Sequence, residues 1–106
     1  MLDCLAPAVA QRVLRDCLED GCVIPSKHFR EELSKEGLSL EDALYILRTG
    51  QIYDPGERDI KTGEWKYGVE GEQTEGMCFR IIFAFKAVDT AILITIFSIE
   101  KRRGVC

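Results

Sequence analysis

The fold class that this sequence predicts is α+β: short N-terminal helices packed as one layer on one face of an antiparallel sheet of three or four strands. Three observations predict it. Before Gly50 the apolar residues recur at a spacing near 3.6, and beyond it the spacing becomes 2. Gly21, Gly37 and Gly50 stand where each helical stripe ends. The 106 residues suit one domain, with a helical half over about 6–50 and a sheet half over about 51–100, and no repeat or long linker divides it.

The first helix is predicted from Pro7 to about Glu19. Proline fits a first helical turn, Val9, Val13 and Cys17 recur every fourth residue with Leu14 and Leu18 beside them, and Gly21 closes the run. A short extended piece, Cys22 to Ile24, stops at Pro25. Ser26 then caps a second helix whose inner side is Phe29 and Leu33, and Gly37 ends it. Ser39-Leu40-Glu41-Asp42 has the form of a capping box, which opens a third helix with Leu40, Ala43, Leu44 and Leu47 inward. The polar, turn-rich run "YDPGERDIKTG" separates the halves. Trp65, Tyr67 and Val69 then alternate with Lys66, Gly68 and Glu70, as in a half-buried strand, so both aromatics are expected in the core and not against a ligand. "GEQTEG" reads as a turn. In "MCFRIIFAF" one face is Met77, Phe79, Ile81, Phe83 and Phe85, and the other is Arg80, Ile82, Ala84 and Lys86. After "KAVDT" the run "AILITIFSI" is apolar on both faces, which predicts an internal strand antiparallel to the preceding one.

Composition excludes several classes. Apolar residues at 46% and charged residues at 30% are those of a globular protein. No run approaches the roughly 20 apolar residues of a membrane span, and Met1-Leu2-Asp3 lacks the basic start of a signal peptide, so a cytoplasmic location is expected. The five cysteines, Cys4, Cys17, Cys22, Cys78 and Cys106, form no C-x-x-C pair and have a single histidine for company, so reduced thiols with no metal and no cofactor are expected. Net charge is −4, yet Met77 to Cys106 carries 5 Lys/Arg against 2 Asp/Glu, ending in Lys101-Arg102-Arg103.

Four stretches in order carry a resemblance: Ser26-Lys27-His28 at a helix start, Gly37-Leu38-Ser39 at a helix junction, Trp65 to Gly71 in a strand, and Ile94-Thr95-Ile96 in the last strand. From about Gln11 to Ile99 the chain resembles the bacterial and phage domain of unknown function numbered 4258. That family is similar in layout to RelE-like and BrnT-like toxins, which are small endoribonucleases. The resemblance implies a toxin-like role and a small antitoxin-like partner of zinc-ribbon or helix-turn-helix type. Typical members carry basic residues four and eight positions after the histidine. This chain has Glu32 and Glu36 there, an acidic helix face that repels phosphate.

Metal-independent RNA cleavage needs a group that takes the 2′-OH proton and cations around the phosphate. His28, the sole histidine, is the candidate acid or base, with Thr95 contributing a hydroxyl. Arg80 and Lys86, with Arg30, are the candidate phosphate-binding residues. His28 is expected at the margin of a cleft between its helix and the sheet, near one of those cations. Cys17 and Cys78 lack a neighbouring base pattern and are not expected to be nucleophiles. The alternative is a non-catalytic protein-binding module that keeps the same fold.

Overall fold

The computed structural model describes residues 3–74 and 76–100; the basic tail Lys101, Arg102 and Arg103, and Cys106, lie outside the described residues. The chain runs through α1 (Pro7–Asp20), β1 (Cys22–Pro25), α2 (Lys27–Lys35), α3 (Leu40–Thr49), β2 (Glu57–Arg58), β3 (Trp65–Thr74), β4 (Met77–Ala87) and β5 (Thr90–Ile99). Each helix follows from local chemistry. Pro7 opens α1, and Ala10, Leu14 and Cys17, three and four apart, form its buried stripe. The Ser26 hydroxyl accepts from the Phe29 amide at 3.0 Å and starts α2, which buries Phe29 and Leu33. At α3 the capping box is complete: the Asp42 amide donates to Ser39 Oγ at 3.2 Å and the Ser39 amide to Asp42 Oδ2 at 2.8 Å. The buried side of α3 is Ala43, Ile46 and Leu47. Leu40, expected inward, is 43% exposed, because it is the first helical residue and stands at the end of the stripe.

The sheet has five strands in the order β1-β5-β4-β3-β2. β3–β4 and β4–β5 pair antiparallel, and β5 lies between β1 and β4, as its two apolar faces predict. The expectation of a purely antiparallel sheet of three or four strands is corrected in two ways. β1 pairs parallel with β5, Val23 opposite Ala91 and Ile24 opposite Ile92, and β2 adds an edge of two residues opposite Trp65 and Lys66. The N-terminal half is therefore not helical throughout, since β1 stands between α1 and α2. A strand of four residues that ends in proline carries too little alternation to announce a partner. β3 also continues to Thr74 where a turn was expected, since the facing end of β4 pairs with it.

The core lies between the helices and the inner sheet face, where Phe79, Ile81, Phe83 and Phe85 of β4 meet Leu14, Phe29, Leu33 and Ile46. Tyr67 stacks on Phe83 with ring centroids 5.7 Å apart, and its hydroxyl accepts from the Leu5 amide at 2.8 Å, so it is buried without an unmet polar end. Trp65 is partly buried against the same cluster, in line with the inward reading of both aromatics. Cys4, Cys17 and Cys22 carry free thiols. Cys78, by contrast, is disulfide-bonded, which corrects the expectation that all thiols are reduced. Spacing along a chain does not report how closely two sulfurs approach in space. No helix among the described residues is long and apolar enough to cross a membrane.

Candidate functional site

Strand alternation decides what the sheet shows on the side away from the helices. Because Phe79, Ile81, Phe83 and Phe85 fill the core, Arg80, Ile82, Ala84 and Lys86 point outward. Register then aligns the outer side chains in rows. Phe97, Arg80 and Glu70 form one row, Thr95, Ile82 and Gly68 a second, and Ile24, Ile92, Ala84 and Lys66 a third. The pairing between β4 and β5 shifts at Ile82–Phe83 against Leu93–Thr95, so Ile94 is the extra residue of a bulge. Ser26 docks at this bulge: its amide donates to the Leu93 carbonyl at 3.0 Å and its hydroxyl to the Ile94 carbonyl at 3.4 Å, which ties the start of α2 to β5.

Ion pairs gather at the β3 side of this face. Arg80 Nη1 donates to Glu70 Oε2 at 2.7 Å and lies 3.5 Å from Asp54 Oδ2, the second contact being the weaker by distance. Glu70 is 1% exposed, a buried carboxylate under its cross-strand partner. Gly68 makes the arrangement possible. A Cβ there would stand 2.3 Å from Arg80 Cζ, so only a bare α-carbon lets the guanidinium lie across β3 toward Glu70. Gly50 fixes the other flank: a Cβ would come within 2.5 Å of the Glu70 carbonyl, and the chain leaving α3 instead pairs Gln51 with Glu70 through amides at 2.9 Å in both directions. Lys66 bridges to Asp59 at 2.7 Å, and Lys86 pairs with Glu64. Asp59 also accepts from the amides of Lys61 and Thr62, and the Lys66 hydrogen bond followed by these two holds its carboxyl at about 2, below the ordinary 3.8.

The sequence-predicted residues fall into two sets. Arg80, Lys86 and Thr95 share the outer face, Thr95 in the row beside Arg80. His28 and Arg30 are exposed on α2, whose Phe29 and Leu33 pack on the inner side against β5, so the sheet lies between the two sets. Among the described residues His28 makes no hydrogen bond or ion pair; Glu32, one turn on, pairs with Lys35 at 3.3 Å. Sequence reading passed over Glu70 and Asp54. The signal for Glu70 was its place opposite Arg80 on the neighbouring strand, which becomes legible once the β3–β4 register is known. Cys17 is buried, its Sγ 3.9 Å from the Val88 carbonyl, and burial first, then the Asp89 carboxylate, push its thiol from 9.0 up to about 11. No group of three or more metal-ligating side chains forms among the described residues.

The profile of the family described as "Domain of unknown function (DUF4258)" matches residues 25–98, well over half of the chain. The chain belongs to the DUF4258 family. No curated protein and no solved structure matches it. The matched span of the DUF4258 domain starts at Pro25 and so takes in α2, α3 and β2 to β5, with His28, the bulge at Ile94 and the whole Glu70–Arg80 pair; α1 lies before it.

Proposed function

We propose that this DUF4258 domain works as a non-catalytic protein-binding module that docks its partner on the outer face of the sheet. One observation carries the reading: among the described residues each cation of that face, Lys66, Arg80 and Lys86, is held by a carboxylate of the same domain, while Ile24 and Phe97 at 44% and 40% exposure and the half-buried Ile82 and Ile92 form an apolar band beside them. A face whose charges are internally matched offers little to phosphate. Its apolar band, rimmed by ion pairs, has the makeup of a protein interface. The partner in this reading is a small antitoxin-like protein, of zinc-ribbon or helix-turn-helix type, encoded beside the chain. The test is calorimetric titration of the domain with the product of the adjacent small gene. Phe97→Glu and Ile24→Glu should weaken binding by about a hundredfold, as for loss of a central apolar contact. Unchanged affinity in both variants would sink the outer-face reading.

A metal-independent endoribonuclease is the second reading, with His28 and Thr95 catalytic and Arg30, Arg80 and Lys86 binding phosphate. It is favoured by the exposure of His28 on the first turn of α2, where backbone N–H groups are open to an anion. It ranks second because its strand cations would have to leave their carboxylates to hold phosphate, and because Glu32 and Glu36 follow His28 along α2.

A further inference from the structure

On the helical side of the molecule, away from the outer sheet face, α1 carries a polar stripe at Gln11, Arg12, Arg15, Asp16 and Glu19, spaced with Ala8 as one helical face. Together with Gln51 and Ile52 these residues line a groove of about 600 Å³. A smaller groove of about 160 Å³ adjoins it, bordered by Arg15, Leu18, Glu19 and Arg48 of α3. Arg15 borders both, so the two form one trough across the α1–α3 contact with Arg12, Arg15 and Arg48 along it.

All three arginines are exposed, and none makes an ion pair or side-chain hydrogen bond to another described residue. Carboxylates four residues on, Asp16 after Arg12 and Glu19 after Arg15, do not close on them. That order, cation before anion along the helix, is the less favourable one for such pairs. The contrast with the sheet is chemical: there every outer lysine and arginine among the described residues has an acidic partner, and here three guanidiniums stand open in an acidic protein of net charge −4. Arg48 also borders the next groove, lined in part by Gln73, whose Nε2 donates to Asp42 at 2.6 Å and whose Oε1 is buried beneath the surface without a hydrogen-bond partner. The Asp42 contact fixes which end of that amide is the acceptor.

We propose that this trough binds an acidic peptide segment of a partner protein, its carboxylates on Arg12, Arg15 and Arg48. Guanidinium forks suit discrete carboxylates. Asp16 and Glu19, interspersed among them, oppose the continuous charge of a nucleic-acid backbone and leave room for separated side-chain acids. Because α1 precedes the segment matched by the DUF4258 profile, the trough combines family and non-family elements, and it stands independently of how the outer sheet face is used.

The experiment is a fluorescence-anisotropy titration of the whole chain with a synthetic amphipathic peptide bearing glutamates on one face, its glutamine counterpart, and a single-stranded RNA of equal charge. The acidic peptide should bind with an affinity that falls as salt rises, and its glutamine counterpart and the RNA should bind at least about tenfold more weakly. Arg12→Gln, Arg15→Gln and Arg48→Gln together should remove the binding without moving the urea midpoint, and each alone should remove part of it, since all three side chains are exposed. Failure of the acidic peptide to bind, equal binding of the glutamine peptide, RNA binding as tight as the peptide's, or full binding by the triple variant would each overturn the proposal.

Discussion

Arg80→Ala removes the guanidinium from a carboxylate that is 1% exposed and 2.7 Å away, and leaves Glu70 buried without that partner. Breaking a buried ion pair by taking one member costs about 3–5 kcal/mol. Arg80 keeps 20% of its side-chain surface in solvent, which screens the pair and places the loss near the lower end, at about 3 kcal/mol. For a domain this small, with a urea slope of roughly 1–3 kcal/mol/M, the midpoint should fall by roughly 1–3 M. The paired substitution Glu70→Leu with Arg80→Met replaces both charges by apolar groups of similar size and should recover most of the loss. Gly68→Ala should cost less than Arg80→Ala, since its new Cβ meets only the flexible end of Arg80, which can shift while keeping its charge near Glu70. Equilibrium urea unfolding followed by tryptophan fluorescence reads all of these through Trp65. A loss below about 1 kcal/mol for Arg80→Ala, or a double variant no better than the single one, would show that the pair is a solvent-exposed contact and would refute the reasoning.

Other outcomes follow from single contacts. Asp59 is held at about 2, below its ordinary 3.8, so the stability it lends the β2–β3 turn is present above about pH 4 and is lost as pH falls through about 2; the amide signals of Lys61 and Thr62 should move in that window, and Asp59→Asn should abolish the step. Cys17, raised to about 11, keeps its proton, so its contribution is intact below about pH 9 and is lost as pH rises through about 11. Near pH 8 an alkylating reagent should label exposed Cys4 and Cys22 and spare Cys17 until the protein unfolds, as peptide mass mapping would show. Ser39→Ala should cost about 1 kcal/mol in chemical denaturation by removing half of the capping box at α3, and no measurable loss would mean that the box does not hold the helix start.

What was legible in the sequence was what local chemistry decides. Ser26 and Ser39 cap where serine before an apolar run should, and the alternation in Met77 to Phe85 assigned both faces of β4 correctly. The apolar run from Ala91 to Ile99 forecast an internal strand, and it is one. The extended piece Cys22 to Ile24 was legible as well, but its parallel pairing was not, because the partner strand is some 70 residues away and four residues are too few to announce it. The Glu70–Arg80 pair escaped for a related reason: an acidic residue in an alternating strand reads as solvent-facing, and only the approach of Gln51 across Gly50 and of Arg80 across Gly68 buries it. His28, Thr95, Arg30, Arg80 and Lys86 stand out in the sequence by residue type alone, and residue type does not say which cations already have partners.

In the function proposed here, the described cations of the outer face serve the domain's own carboxylates and leave that face to a protein. The most direct measurement is incubation of the purified chain with RNA at low salt, where surface electrostatics are least screened, followed by filter binding and gel analysis. Neither retention nor cleavage beyond that of buffer is expected. RNA cleavage by the wild-type chain that disappears in His28→Ala, with the variant still folded, would contradict it.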